Sequence, residues 1–471
     1  MSTSPVGEGP GDTREASSEE FGRLVEWASG LRLREIPAGV LRRAATILLD
    51  DMGAMVAPHA EPELQRFVQR FAPHSPGGES TVFLDGRRVT RLQAATANAA
   101  ACCWCQLDEG FRKASCHAGL YVLPALLAEA EAADLSVGDV LRCLVGAYEV
   151  VTRVATAWTR PGSPHHVHAA FSGVGAASAV GLARNLEASV LGDAIAAAAT
   201  LSPVGPLAQM IDGALVSNFY ASMGAQAGMQ AVDWAQIGIG GHLSAVDDVY
   251  RATRGATHLP GRLSEALGEV WSVNFGFHKW YAACQRLHAG ADAVLALVAR
   301  MPDHERGRRI RRMVIRTHDP QLASRDPRNS LATRFSFPHA LAAMTVLGHG
   351  RADAFGAATL DDPDILALRA RVQVLPYDPP QAWPNDRAVH VAVTMNDGSV
   401  YEEECRLARG SPDRPLSETE IVEKAESLAS PVFPSMIRVL RRVLDSPESA
   451  APLPWRQVVC EMTSPSTTGG A

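Results

Sequence analysis

Residues 97–127 read ANAAACCWCQLDEGFRKASCHAGLYVLPALL, and the rest of the chain is organised around them. A mostly apolar helix of small residues runs into a knot of ionisable groups: Asp108, Glu109, Arg112, Lys113 and His117. Gly110 and Gly119 break the helical pattern on either side, and a second apolar helix begins near Val122. Charged groups set between two buried helices are costly unless they pair or do chemistry. The stretch therefore reads either as an active-site loop or as a helix–helix corner held by ordinary salt bridges. These residues alone leave both readings open.

Working outward, the first half of the chain is helical in pattern. EFGRLVEWASGL (20–31), IPAGVLRRAATILLDDMGAMV (36–56) and PELQRFVQRF (62–71) are helices, the second with Val40, Ala44, Leu48 and Met52 repeating every fourth residue. TVFLDGRRVT (81–90) is a hairpin turned at Asp85-Gly86. Ser136 and Asp139 form a capping box for the helix that follows. The Gly-, Ala- and Ser-rich stretches 171–186 and 189–203 allow close helix packing, and a further helix spans 217–237. Near residue 276 the character changes. RRMVIRT (311–317) and RVQVL (371–375) alternate like strands, and VHVAVTMNDGSVYEEEC (389–405) is a hairpin turned at Asn396-Asp397-Gly398. Ser417 and Glu420 then cap a returning helix.

The expected architecture is thus mainly α with an α+β second domain. Residues 1–19 read as a disordered tail, 20–275 as a helical domain, 276–415 as an α+β lid, 416–445 as helices returning to the helical domain, and 446–471 as a C-terminal tail.

Composition narrows the function. Of 471 residues, 46% are apolar and 20% charged, as in a globular enzyme. The net charge of −7 gives no basic field for nucleic acid. No run reaches the ~20 apolar residues of a membrane span, and the polar N-terminus has no apolar signal core. The eight cysteines are scattered, which fits a reducing, cytoplasmic setting rather than a disulfide framework. Cys102, Cys103, Cys105, Cys116 and His117 lack the spacing of a zinc ribbon or finger, and cysteine in an Ala-rich helix behaves as a small apolar residue. No metal or organic cofactor is expected.

The 97–128 stretch resembles the signature of the MmgE/PrpD family, which includes 2-methylcitrate dehydratase, cis-aconitate decarboxylase and iminodisuccinate epimerase. The resemblance continues in order through HHVHAAFSGVGAASAVGLARNL (165–186), MIDGALVSNFYASMGAQAGMQA (210–231), FHKWYAACQRLHAGADAVLAL (277–297) and NSLATRFSFPHALAAM (329–344). It implies a helical domain, a smaller α+β lid, a homodimer, and a site between the domains. The implied chemistry removes a proton beside a carboxylate without a cofactor, then loses water, loses CO2 or returns the proton.

Carried over by position, Asp108 matches the family's loop aspartate, His117 its loop histidine, His166 its second catalytic histidine and Lys279 its lid lysine. Asp108 would orient the loop or a base. His117 would exchange a proton with substrate, an acid–base role suited to imidazole. Lys279 would bind a carboxylate or stabilise an enolate. His165 and His168 are alternatives to His166, because Val167 and His168 stand where relatives often have Pro and Thr. Arg112, Ser217, Tyr220 and Arg334 complete the expected substrate-binding set, while Cys284 and His288 read as structural or supporting.

The chain also departs from the pattern. Ser217 replaces a usual lysine, Cys103 and Phe111 replace histidines, Ala118 replaces a proline, and His339 stands where tyrosine is frequent. These changes point to a less charged or bulkier acid than 2-methylcitrate or cis-aconitate. The function expected is a dehydratase-type lyase on a small carboxylate-bearing molecule. The alternatives are an isomerase, epimerase or cyclase of specialised metabolism, and a catalytically weakened binding or scaffold protein.

Overall fold

The computed structural model describes residues 10–301, 306–383 and 385–464. Its centre is the helix Val167–Ala183, buried almost throughout and packed against Tyr220–Ala235, Ala118–Ala133 and Val137–Ala157. Small residues make this packing possible. A Cβ at Gly224 would lie 1.8 Å from Ser172 Oγ, and one at Gly175 would lie 2.7 Å from Tyr121 Cβ. Thr90 and Ser136 cap the helices Arg91–Trp104 and Val137–Ala157 through capping boxes.

The second region carries a four-stranded mixed sheet in the order 400–405, 389–395, 310–317, 372–376. The Val389–Met395 and Val400–Cys405 strands form an antiparallel hairpin, with Gly398 at φ 88° in its turn. Val389–Met395 also pairs antiparallel with Ile310–Thr317, which in turn runs parallel to Val372–Pro376. The helices His288–Arg300 and Phe337–Leu347 cover the sheet. The chain then goes back to the helical region. Glu418–Ala429 packs on Ala38–Val56 so closely that a Cβ on Gly53 would sit 3.0 Å from Ala425 Cα.

Both chain ends differ from the sequence expectation. Residues 1–9 lie outside the described residues, but Pro10–Gly30 is one helix, where a tail was expected to residue 19. Arg14 donates twice to Asp248, both at 2.8 Å, and the Glu20 carboxylate accepts from Gly261 N–H at 2.9 Å. The polar composition that suggested disorder is thus used in long-range pairing. The expected C-terminal tail contains the helices Pro447–Ala450 and Trp455–Thr463. Trp455, Val458, Val459 and Met462 are buried, and Arg456 donates to Glu131 O. Residues 465–471 lie outside the described residues. Among those described, no helix is long and apolar enough to cross a membrane.

Candidate active site

The loop after Trp104 is shaped by its backbone. Gln106 adopts φ 54°, and Phe111 N–H donates to Cys116 O at 2.7 Å, closing the turn. Gly110–Phe111 pairs antiparallel with Gly276–Phe277. This short pairing leads directly into His278, set beside Asp50, and Lys279, set beside Asp108. Gly119 is required at the start of the next helix, because a Cβ there would fall 2.0 Å from Asp51 Oδ2.

Asp108 is fully buried and bridges a lysine and a histidine. His117 Nδ1 lies 2.7 Å from its Oδ2, and Lys279 Nζ donates to its Oδ1 at 2.9 Å. Burial alone would raise the Asp108 pKa, but Lys279 and His117 overcome that and hold the carboxyl well below the usual range. Lys279 is likewise fully buried, yet Asp108 outweighs burial and keeps it cationic. Burial and Lys279 lower the His117 pKa, with Asp108 offsetting part of the shift. An ionised Asp108 can only accept a hydrogen bond, so Nδ1 of His117 carries the proton. The Nε2 lone pair is then free to act as a base.

Three imidazoles stand in a row. His168 lies 4.8 Å from His117 and 4.3 Å from His166, centroid to centroid. His166 caps the Val167–Ala183 helix, its Nδ1 accepting from His168 N–H at 3.2 Å. The His166 proton therefore sits on Nε2. Burial and His117 push its pKa down to about 3, so it is a neutral donor. His168 Nδ1 is 2.9 Å from the Tyr121 hydroxyl, and His165 Nδ1 is 3.0 Å from Val204 O. All four histidines line one cavity of ≈ 600 Å³, with walls from both regions of the chain.

Several expected residues are not in that wall. Lys279 and Asp108 stand behind His117, so the lysine charges the Asp–His pair rather than touching a ligand. Arg334 is buried against Ser330 O and Glu61. Ser217 is buried with no partner for its hydroxyl, near Asn218, whose Oδ1 lies 3.9 Å from Cys103 Sγ. The Tyr220 hydroxyl donates to Pro206 O at 3.3 Å. Arg112 pairs with Asp386. None of these four lines the cavity: their polar groups are directed to protein partners or into the core. Cys284, read as supporting, does line the cavity, whereas His288 is buried with Nε2 3.2 Å from Ala283 O.

The cavity's cations come instead from residues the sequence reading passed over. Arg286 pairs with Asp319 at 2.5 Å, and Arg387 has its buried Nη1 without an acceptor. Burial, with Arg112 and Arg286 nearby, lowers the Arg387 pKa to about 10, which leaves it charged at neutral pH. Gln285 also lines the wall, with its buried Nε2 unpartnered. Arg286 and Gln285 lie inside the quoted 277–297 block, where only Lys279, Cys284 and His288 drew attention.

A second buried charge cluster backs the first. Asp50 accepts from His278 Nδ1 and from Lys424 Nζ, each at 2.7 Å, repeating the Asp–His–Lys pattern of the cavity side. Lys424 also donates to Leu107 O at 2.9 Å, next to Asp108. Glu109 accepts from the Tyr148 hydroxyl at 2.7 Å, and burial pushes its pKa up to about 8. All eight cysteines are free, and among the described residues no group of three or more His, Cys, Asp or Glu could hold a metal ion.

Comparison with known proteins agrees with this architecture. The MmgE/PrpD N-terminal domain model matches residues 22–257 and the MmgE/PrpD C-terminal domain model matches 281–446. The chain is 26% identical over 460 residues to the cis-aconitate decarboxylase-like protein oryM of Aspergillus oryzae, covering 91% of this chain and 94% of that one. It is 24% identical over 448 residues to cis-aconitate decarboxylase of Aspergillus terreus, covering 88% and 90%. Against cis-aconitate decarboxylase of Mus musculus it is 24% identical over 457 residues, covering 91% of each. With both domain models matched in order across most of its length, the chain belongs to the MmgE/PrpD family.

Proposed function

We propose that this protein is a cofactor-independent lyase acting on a small carboxylate-bearing molecule, with His117 as the base and His166 as the proton donor. The observation that carries the reading is the ionised Asp108 held between His117 Nδ1 at 2.7 Å and Lys279 Nζ at 2.9 Å, at the wall of a cavity lined by arginines. His117 Nε2 takes the proton from the carbon beside a carboxylate. Negative charge builds on the carboxylate oxygens, where Arg387 and Arg286 oppose it. The electron pair then expels hydroxide from the neighbouring carbon, and His166 Nε2–H protonates it to water. A neutral resting His117 favours this order, because the base is ready before substrate arrives.

Decarboxylation is the second reading, and the names of the relatives favour it. There the carbanion forms by loss of CO2, and a protonated His117 delivers its proton to carbon. The two differ in product. Incubation with hydroxy- and unsaturated di- and tricarboxylates in D2O, read by mass and NMR, separates loss of water from loss of CO2. Deuterium uptake without loss of mass would indicate an isomerase or epimerase. No exchange and no product from any acid would overturn the catalytic reading in favour of a binding protein.

The proposal extends to a homodimer. Met223, Trp234 and Ile237 are exposed along one face of the Tyr220–Ala235 helix and the turn after it, with Ile239 and Val216 also exposed. A line of exposed large apolar side chains suits a self-complementary contact. Light scattering that reports a monomer at micromolar concentration would overturn this part.

A further inference from the structure

Among the described residues, three arginines of the cavity wall, Arg160, Arg254 and Arg387, have no carboxylate within ion-pair distance; Arg160 donates to Arg254 O, and the other two are the more deeply buried. Arg387 comes from the lid, beside Arg112 and Arg286, whose charges are taken by Asp386 and Asp319. Arg254 comes from the helical region, held by Nη2 bonds to Ser202 Oγ at 2.8 Å and Pro203 O at 2.9 Å. Arg254 is 8% exposed. Arg254 and Arg387 each have a buried Nη1 with no acceptor, and the two share no charged neighbour. A buried guanidinium N–H without an acceptor is costly, so both side chains favour an anionic oxygen against the face they turn to the cavity.

Beyond Arg254 and its neighbour Arg160, part of the wall is aromatic. Trp158, Phe171 and Tyr250 line it, with Tyr250 5.7 Å from Trp158 and 5.2 Å from Phe171 by ring centroids. Their polar atoms are already used: Trp158 Nε1 donates to Asp247 at 3.2 Å and the Tyr250 hydroxyl to Ala170 O at 2.9 Å. Only ring surface is left for a ligand. At ≈ 600 Å³ the cavity lies in the range, about 300–1,000 Å³, that encloses drug-sized molecules. A compact tricarboxylate would leave the aromatic wall unfilled.

We infer that the cavity takes a dicarboxylic acid with an apolar body, one carboxylate on Arg387 beside His117, the other on Arg254, and the body against Trp158, Phe171 and Tyr250. This rests on reading the cavity as the lyase's substrate site, and makes Arg254 the residue that sets specificity for the distal carboxylate.

The test is calorimetric binding of straight-chain α,ω-dicarboxylates from succinate to azelate, and of monocarboxylates of the same lengths, to the full-length protein. The expected result is that a longer diacid binds about ten- to a hundredfold tighter than its monoacid. Arg254→Gln removes the distal guanidinium and should lower diacid affinity to that of the monoacid, with circular dichroism reporting an intact fold. Arg387→Gln should weaken both classes. Equal affinity of diacid and monoacid at every length, no binding of either, or an equal loss of both in Arg254→Gln would overturn the inference. Selective diacid binding without any turnover would leave it standing and count against the lyase reading alone.

Discussion

Replacing Asp108 with asparagine should damage catalysis and stability through separate routes. The carboxylate accepts from two donors at once, the neutral His117 at 2.7 Å and the cationic Lys279 at 2.9 Å, with the aspartate and the lysine fully buried. An amide has one acceptor oxygen. If that oxygen serves Lys279, the NH2 group faces His117 Nδ1 and must donate to it. The imidazole proton then moves to Nε2, and the base loses the lone pair it needs, at a cost of about 10²–10⁴ in kcat. Lys279 meanwhile keeps a buried charge with no counter-ion, which destabilises by about 3–5 kcal/mol. In the wild type, the depressed Asp108 pKa gives stability that is complete above the unfolded value of about 3.9 and is lost as pH falls. In the variant, Lys279 titrates below its unfolded value of about 10.4, so the penalty is full at low pH and lifts as pH rises toward that value. Urea unfolding across pH, beside steady-state kinetics, reads both effects. Asp108→Asn with Lys279→Met should recover most of the lost stability but none of the rate. Wild-type stability and rate in the single variant, or no recovery in the double, would refute the reasoning.

Three further outcomes are expected. His117→Ala and His166→Ala should each lower kcat by about 10²–10⁴ with the fold intact by circular dichroism, and undiminished rates in both would return these histidines to a structural role. Glu109 stays protonated in the folded state to about pH 8 against an ordinary 4.5, so wild-type stability should decline as pH rises through that window. Glu109→Gln should flatten the decline, and an unchanged pH–stability curve would contradict it. Lys424→Met leaves Asp50 without its ammonium partner and should cost about 3–5 kcal/mol in urea unfolding. A loss below about 1 kcal/mol would mean that His278 alone satisfies Asp50.

The loop from Asp108 to His117 was legible because ionisable residues in an apolar context stand out in one dimension. The strands were legible for a similar reason: 311–317 and 389–405 alternate in hydropathy, and an Asp-Gly turn joins the hairpin. Lys279 was found only through the family pattern, and its place behind His117 could not be read from either. That place depends on the two-residue pairing of 110–111 with 276–277, which leaves no periodic signature. Asp50 and Lys424 were invisible for the same kind of reason. Each lies in an ordinary amphipathic helix, and their contact spans 374 positions. Arg387 and Arg254 sit in irregular segments, where arginine is unremarkable until its missing acceptor is seen. The N-terminal helix was misread because its polar residues suggested solvation, whereas Arg14 and Glu20 find partners more than two hundred positions away.

The bond from Lys424 to Leu107 O reaches across 317 residues, and it has a consequence for synthesis. A ribosome translates Asp108, His117 and Lys279 well before it reaches residue 424. Until then Asp50 and His278 lack the ammonium that completes their cluster, and the carbonyl beside Asp108 lacks its donor. The nascent chain can build the helices early, since domains fold as they emerge. It cannot settle the charges beneath the 105–117 loop until residue 424 has left the exit tunnel. Messages cut short before codon 424 would therefore yield chains that carry Asp108, His117 and Lys279 over an incomplete charge cluster, while the finished polypeptide completes that cluster in one late step.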